Sequence, residues 1–267
     1  MSRVTALTHS FVGKKILMAV TGLVLLGFVL GHMLGNLKVF QGPEHFNAYG
    51  EGLRTLGAPI FGRGQVLWVV RLFLLVAAGV HIWAAYAVTR ASWSARPHAY
   101  RQLQLVETTY AARTIRWSAI LILLFVVYHL LDLTFGRVNP SFIPGDVYHN
   151  VVASFGRAPV AVAYILTMGA LCLHLYHGIH SGCQTLGANH PKYNHLRRGI
   201  ALVFSLVVAG GFISVPLAVP KAEIWVWNST WKAALLVANN DWSRTAVAFS
   251  TWRPAGGVAF MAISLLA

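Results

Sequence analysis

The chain has 267 residues, of which 57% are hydrophobic and only 10% charged, against roughly a quarter charged in an ordinary soluble domain. Its formal net charge of +14 would suit a nucleic-acid partner in a soluble protein, but the Lys and Arg residues mostly punctuate long apolar runs, so anchoring at a membrane surface outweighs that reading. Cys172 and Cys183 fall on one predicted helix about 16 Å apart, too far for a mutual disulfide, and no paired-cysteine spacing suited to an iron–sulfur cluster, covalent haem or zinc occurs.

In chain order, the first apolar run predicts a helix over about 15–37, long enough to cross a hydrocarbon core of about 30 Å. It follows Lys14 and Lys15 as a signal peptide does, but it lacks a small-x-small cleavage site and is read as a retained helix. Gly22, Gly27, Gly31 and Gly35 suit close approach by another helix or by a flat cofactor. A polar loop with Pro43, Glu44, Glu51 and Pro59 follows, then a second helix over about 65–89. The basic stretch with Arg90, Arg96, Arg101, Arg113 and Arg116 leads into a third helix, about 115–135. A loop with Pro140, Pro144 and Pro159 precedes a fourth helix that reaches about Gly182, and Lys192, Arg197 and Arg198 introduce a fifth, about 199–219. The expected fold is all-α and integral to the membrane: a five-helix domain over 1–220 and a C-terminal extension over 221–267. The extension is rich in tryptophan, and Arg253 and Pro254 interrupt its last apolar run, so no sixth helix is assigned there.

Placing the N-terminus in the cytoplasm puts 11 Lys or Arg residues on the inner side against six on the outer, as the positive-inside bias asks. The expected orientation is N-in, C-out.

Each of the first four helices carries a histidine at depth: His32, His81, His129 and His174. Ionisable residues inside a bilayer are costly and usually functional. His32 lies 17 residues past Lys15 and His129 lies 13 past Arg116, about 25 and 20 Å from the cytoplasmic edge. His81 and His174, on helices that enter from outside, lie about 22 to 24 Å below the outer edge. The four therefore sort into an outer pair, His32 with His129, and an inner pair, His81 with His174. Two imidazoles on facing helices suit a haem iron clamped from both sides, with no position open to oxygen. On geometry alone His177 competes with His174, since the two share a helix face. The unused one, or His180, is left for a haem propionate, a quinone or the cytoplasmic end, and Arg116 and Lys15 are further candidates for propionate contact.

The strings TGLVLLGFVLGHMLGN at 21–36, FNAY at 46–49, RWSAILILLFVVYHLLD at 116–132 and LHLYHGIHS at 173–181 resemble the single-chain, five-helix, dihaem cytochrome b subunits of bacterial succinate dehydrogenases and fumarate reductases. The likeness covers roughly residues 10 to 215. It implies two haems b, one on His81 and His174 and one on His32 and His129, and it selects His174 over His177. It also implies a flavoprotein partner with FAD and an iron–sulfur partner on the cytoplasmic face, with a quinone, expected to be menaquinone, as electron acceptor. The succinate site then belongs to a partner, and nucleic acid is not expected as one.

Quinone reduction consumes protons, which makes the acids toward the outer face candidates: Asp132, one turn beyond His129, and Glu44 and Glu51 in the first outer loop. Two alternatives compete. One is a cytochrome b of another quinone-linked oxidoreductase, which the isolated positions of His32, His81 and His129 disfavour. The other is a haem-free transporter with a histidine proton relay, which calls for inverted repeats and broken helices.

Overall fold

The computed structural model describes residues 8–95 and 110–219, and everything built from them is helix and connecting turn, with no strand among the described residues. Arg96, Arg101 and the expected extension 221–267 lie outside them. Helix α1, Phe11–Asn36, starts where the Ser10 hydroxyl accepts from the Gly13 N–H at 2.9 Å; this caps one of the four amides that a helix start leaves unpaired. It tightens into a short turn, Leu37–Gln41, which Gly42 ends at φ 93°, a left-handed conformation that glycine adopts without strain. Helix α3, Gln65–Ser94, runs back, α4 spans Tyr110–His129, α6 spans Ala158–Thr185 and α7 spans Asn194–Ala218.

The connections from α1 to α3 and from α4 to α6 hold more order than their prolines predict. Pro43 sits in the first turn of a helix α2, Pro43–Arg54, where its missing N–H costs nothing. Asp146 accepts from the His149 N–H and starts helix α5, Val147–Phe155. Both stretches were expected as loop, because their helix-starting residues also serve as turn residues. The Asn47 amide ties the two together by donating to Asp146 at 2.9 Å and accepting from the Tyr148 N–H at 2.9 Å.

Among the described residues, five segments are long and apolar enough to cross a membrane: Phe11–Gln41, Gln65–Ser94, Tyr110–Thr134, Ala158–Thr185 and Pro191–Ala218. Large apolar side chains such as Leu72, Leu75, Trp117 and Leu124 point outward, whereas Ser118, Asp132, Thr167 and Ser205 are buried. That inversion of the soluble pattern is what lipid as solvent asks for. Inside, α1 packs on α3 and α6, α6 packs on α4, and α7 lies against α6 and α1. Small residues permit these approaches. Ala77 and Ala84 are buried on α3, and Ala201, Ser205 and Ala209, spaced four apart, are buried on α7. Between α1, α6 and α7, Met33, Leu175 and Val208 form an apolar cluster.

The small-residue stripe of α7 gives a direct test. Ser205 is fully buried, so Ser205→Leu should overpack the helix contact and cost about 1–3 kcal/mol. Leu206→Ala, at an outward position, should change little in the same detergent-solubilised thermal unfolding experiment. Equal effects from the two substitutions would show that α7 does not pack through this stripe.

Candidate functional site

The sequence-predicted histidines meet in two pairs. The rings of His32 and His129 lie 5.9 Å apart, centroid to centroid, and those of His81 and His174 lie 6.5 Å apart. The helices joined in this way are not the closely packed ones. His32 on α1 meets His129 on α4, and His81 on α3 meets His174 on α6, whereas close packing runs α3 to α1, α1 to α6 and α6 to α4. Each pair therefore spans a diagonal of a four-helix group. Gly22, which faces His81, and His32 are ten residues apart on α1, so the two pairs are separated by about 15 Å along the axis.

His81 is oriented by the backbone of α1. Its Nδ1 is 3.0 Å from the Met18 carbonyl oxygen, which can only accept, so Nδ1 carries the proton and Nε2 keeps its lone pair. The Thr21 hydroxyl donates to the Leu17 carbonyl at 2.6 Å and lies 3.3 Å from the same Nδ1. Gly22 makes room, since a Cβ there would lie 3.2 Å from the His81 ring. The partner ring differs. His174 Nδ1 is buried and has no hydrogen-bond partner among the described residues.

The outer pair is supported by side chains. Tyr164 on α6 donates its hydroxyl proton to Asp132 at 3.1 Å, and its oxygen lies 3.3 Å from His129 Nδ1. Asp132 is completely buried. A π turn over 130–134 directly follows His129; its wider path carries Asp132 inward, and such turns often mark functional sites. There the carboxylate accepts from Ser154, from Tyr164 and from Arg157 at 2.7 Å. Arg157 also donates to the Val138 carbonyl at 2.8 Å. His32 stacks on Phe28 with ring centroids 5.3 Å apart.

The remaining candidates disperse. His177 stays on α6 one turn from His174, which is the histidine whose ring faces His81. His180 Nε2 meets buried Arg197 at 3.2 Å. Arg116 stacks over Trp93 at 4.9 Å, and Lys15 lies over Phe11 at 5.0 Å. Lys15 also lines a recess of about 250 Å³ with Val12, Ser181, Gln184 and Thr185. Glu44 is exposed in the first turn of α2. Glu51 lines a cleft of about 610 Å³ with Asn47, Arg54, Arg63 and Pro144. Hydrogen bonds from Arg63, assisted by Arg54, hold its carboxyl below the usual carboxylate range.

Tyr164, Arg157 and Thr21 were not anticipated from sequence. The one available signal was Arg157, a cation at the start of an apolar helix that Asp132, an acid at the end of another, is able to neutralise.

The donor set fits haem. Four imidazoles face one another in two pairs, two have their tautomer set by acceptors on Nδ1, and the buried His174 Nδ1 has no partner among the described residues. Residues 94–215 match the family model described as succinate dehydrogenase/fumarate reductase transmembrane subunit. The matched stretch contains His129 and His174, while His32 and His81 precede it. No curated protein and no solved structure matches the chain.

Asp146, which joins α2 to α5, has a perturbed carboxyl. Burial pushes its carboxyl up, but the His149 N–H, the Asn47 amide and the charge of His149 outweigh this and hold it below its ordinary value. A carboxylate depressed in the folded state contributes stability that is present above its unfolded pKa, about 3.9, and that is lost as the pH falls through the lowered folded value. The thermal midpoint of wild type should therefore exceed that of Asp146→Asn at neutral pH, and the gap should begin to narrow near about pH 4 and close only below the lowered folded value. A gap that does not vary with pH would remove the role of the charge.

Proposed function

We propose that the chain, whose residues 94–215 match the succinate dehydrogenase/fumarate reductase transmembrane-subunit model and which has five membrane-spanning-length helices among its described residues, is the two-haem membrane anchor linking the succinate-handling partners to a membrane quinone. The observation that carries this reading is the meeting of four imidazoles in two pairs across the diagonals of α1, α3, α4 and α6. His32 and His129 hold the outer haem b, and His81 and His174 hold the inner one. When bound between two imidazoles, such a group supplies reversible one-electron transfer and offers no coordination position to oxygen.

The protein's own part is binding and orientation. Met18 and Thr21 fix the His81 ring, and Tyr164 fixes that of His129. The separation of about 15 Å along α1 lets one chain hold the two groups in series between the leaflets. Electrons arise from succinate on a flavoprotein partner with FAD and arrive through an iron–sulfur partner at the cytoplasmic face. They leave to a quinone, menaquinone in this proposal, toward the outer face. The chain sits in a bacterial cytoplasmic membrane with its N-terminus inside, and residues 1–220 form the haem-binding domain. Among the acids toward the outer face, Glu51 lines the cleft and stands as an ionised acceptor between two arginines. Asp132 instead supports the outer histidine pair.

A pyridine haemochrome assay on the purified complex should yield close to two haems b per copy of this chain. His81→Tyr and His129→Tyr should each remove one haem, and a different one. A wild-type complex without haem would end this proposal.

A further inference from the structure

The two histidine pairs are anchored by unlike means, and the outer anchor has a chemical consequence. A phenol hydroxyl carries one proton. Tyr164 gives that proton to Asp132, so toward His129 its oxygen can only accept, and the imidazole must present Nδ1–H. Asp132 is in turn held by Arg157 and Ser154, which fixes the direction of the chain from the guanidinium to the ring. Tyr164 itself is 5% exposed and is clamped by Phe125 and Phe155, each with its ring centroid 4.8 Å away. These rings leave the phenol little freedom to turn away. The inner ring is fixed by a backbone carbonyl, which no side-chain change removes.

We propose that Tyr164, backed by Asp132 and Arg157, is a positioning residue for the outer pair: it sets the tautomer and plane of His129 and increases the electron donation of its Nε2. This rests on the haem-binding reading above and adds a residue and a direction to it. An imidazole whose Nδ1–H is given to an acceptor is the more basic ligand, and a more basic ligand favours the oxidised over the reduced iron. Removing the acceptor should therefore raise the potential of the outer haem and leave the inner haem, anchored about 15 Å away along α1, as it was.

The test is a redox titration of the two haems, with their low-temperature electron paramagnetic resonance, in the purified complex carrying Tyr164→Phe. His81→Tyr and His129→Tyr identify which signal belongs to which haem. The expected result is an upward shift of the outer midpoint and a moved outer resonance, with the inner midpoint and resonance unchanged. Loss of the outer haem alone, from an assembled complex, supports the same assignment. Wild-type midpoints and resonances in an assembled Tyr164→Phe complex would overturn it. If Tyr164→Phe does not assemble, 3,5-difluorotyrosine placed at position 164 keeps the shape and weakens the oxygen as an acceptor. A smaller upward shift of the outer midpoint then supports the proposal, and an unmoved midpoint overturns it. Absence of haem from the wild-type complex would count against the haem-binding reading itself, so the two failures are distinguishable.

Discussion

A carboxylate sealed from solvent inside an apolar bundle has to find its donors within the protein, and one half of this structure is arranged around the one that does. Asp132 takes hydrogen bonds from Ser154, Tyr164 and Arg157. These come from α5, from α6 and from the junction between the two helices, so a single acid determines how α4, α5 and α6 meet. The π turn after His129 supplies the extra residue that brings the carboxylate round to its partners. Arg157 extends the same constraint to the Val138 carbonyl beyond the end of α4. Breaking such a buried pair costs more than its net contribution, because the remaining partner keeps its desolvation penalty.

The histidines obey the complementary constraint. Imidazoles are polar on two sides, and in a bundle without water each ring nitrogen needs a donor, an acceptor or a metal. The Met18 carbonyl and the Tyr164 oxygen each occupy one nitrogen of one ring per pair, and His174 Nδ1 has none. Close packing of α1 with α3 and α6, and of α6 with α4, leaves the diagonals to be bridged by side chains. A bundle built only for mutual helix packing has no reason to place histidines on both diagonals.

Much of this was legible in the sequence, and the reason is the bilayer. Runs such as 16–37, with no charge between Lys15 and Lys38, have one stable solution in hydrocarbon, and the structure contains all five apolar helices, with ends moved by a few residues. The pairing of His32 with His129 and of His81 with His174 followed from rise per residue and an expected topology, and these rings lie 5.9 and 6.5 Å apart. What was not legible depends on rotation about a helix axis. Asp132, one turn past His129, reads equally as a residue at the membrane surface or as one turned inward, and the π turn decides it. Tyr164 lies ten residues before His174 on an apolar helix and carries no signal of its own; its role arises from a neighbour 32 positions away.

The acids toward the outer face then divide by the company they keep. Glu51 faces a cleft and pairs with Arg63, which is open to solvent, and with Arg54, which is partly so, so a ligand entering the cleft would exchange partners with it at modest cost. Asp132 has no such freedom, because its three donors are spent on holding helices and a histidine. One acid therefore sits at an open cleft, and the other is fixed within the bundle. The short helices α2 and α5, joined through Asn47 and Asp146, keep these two environments side by side without mixing them.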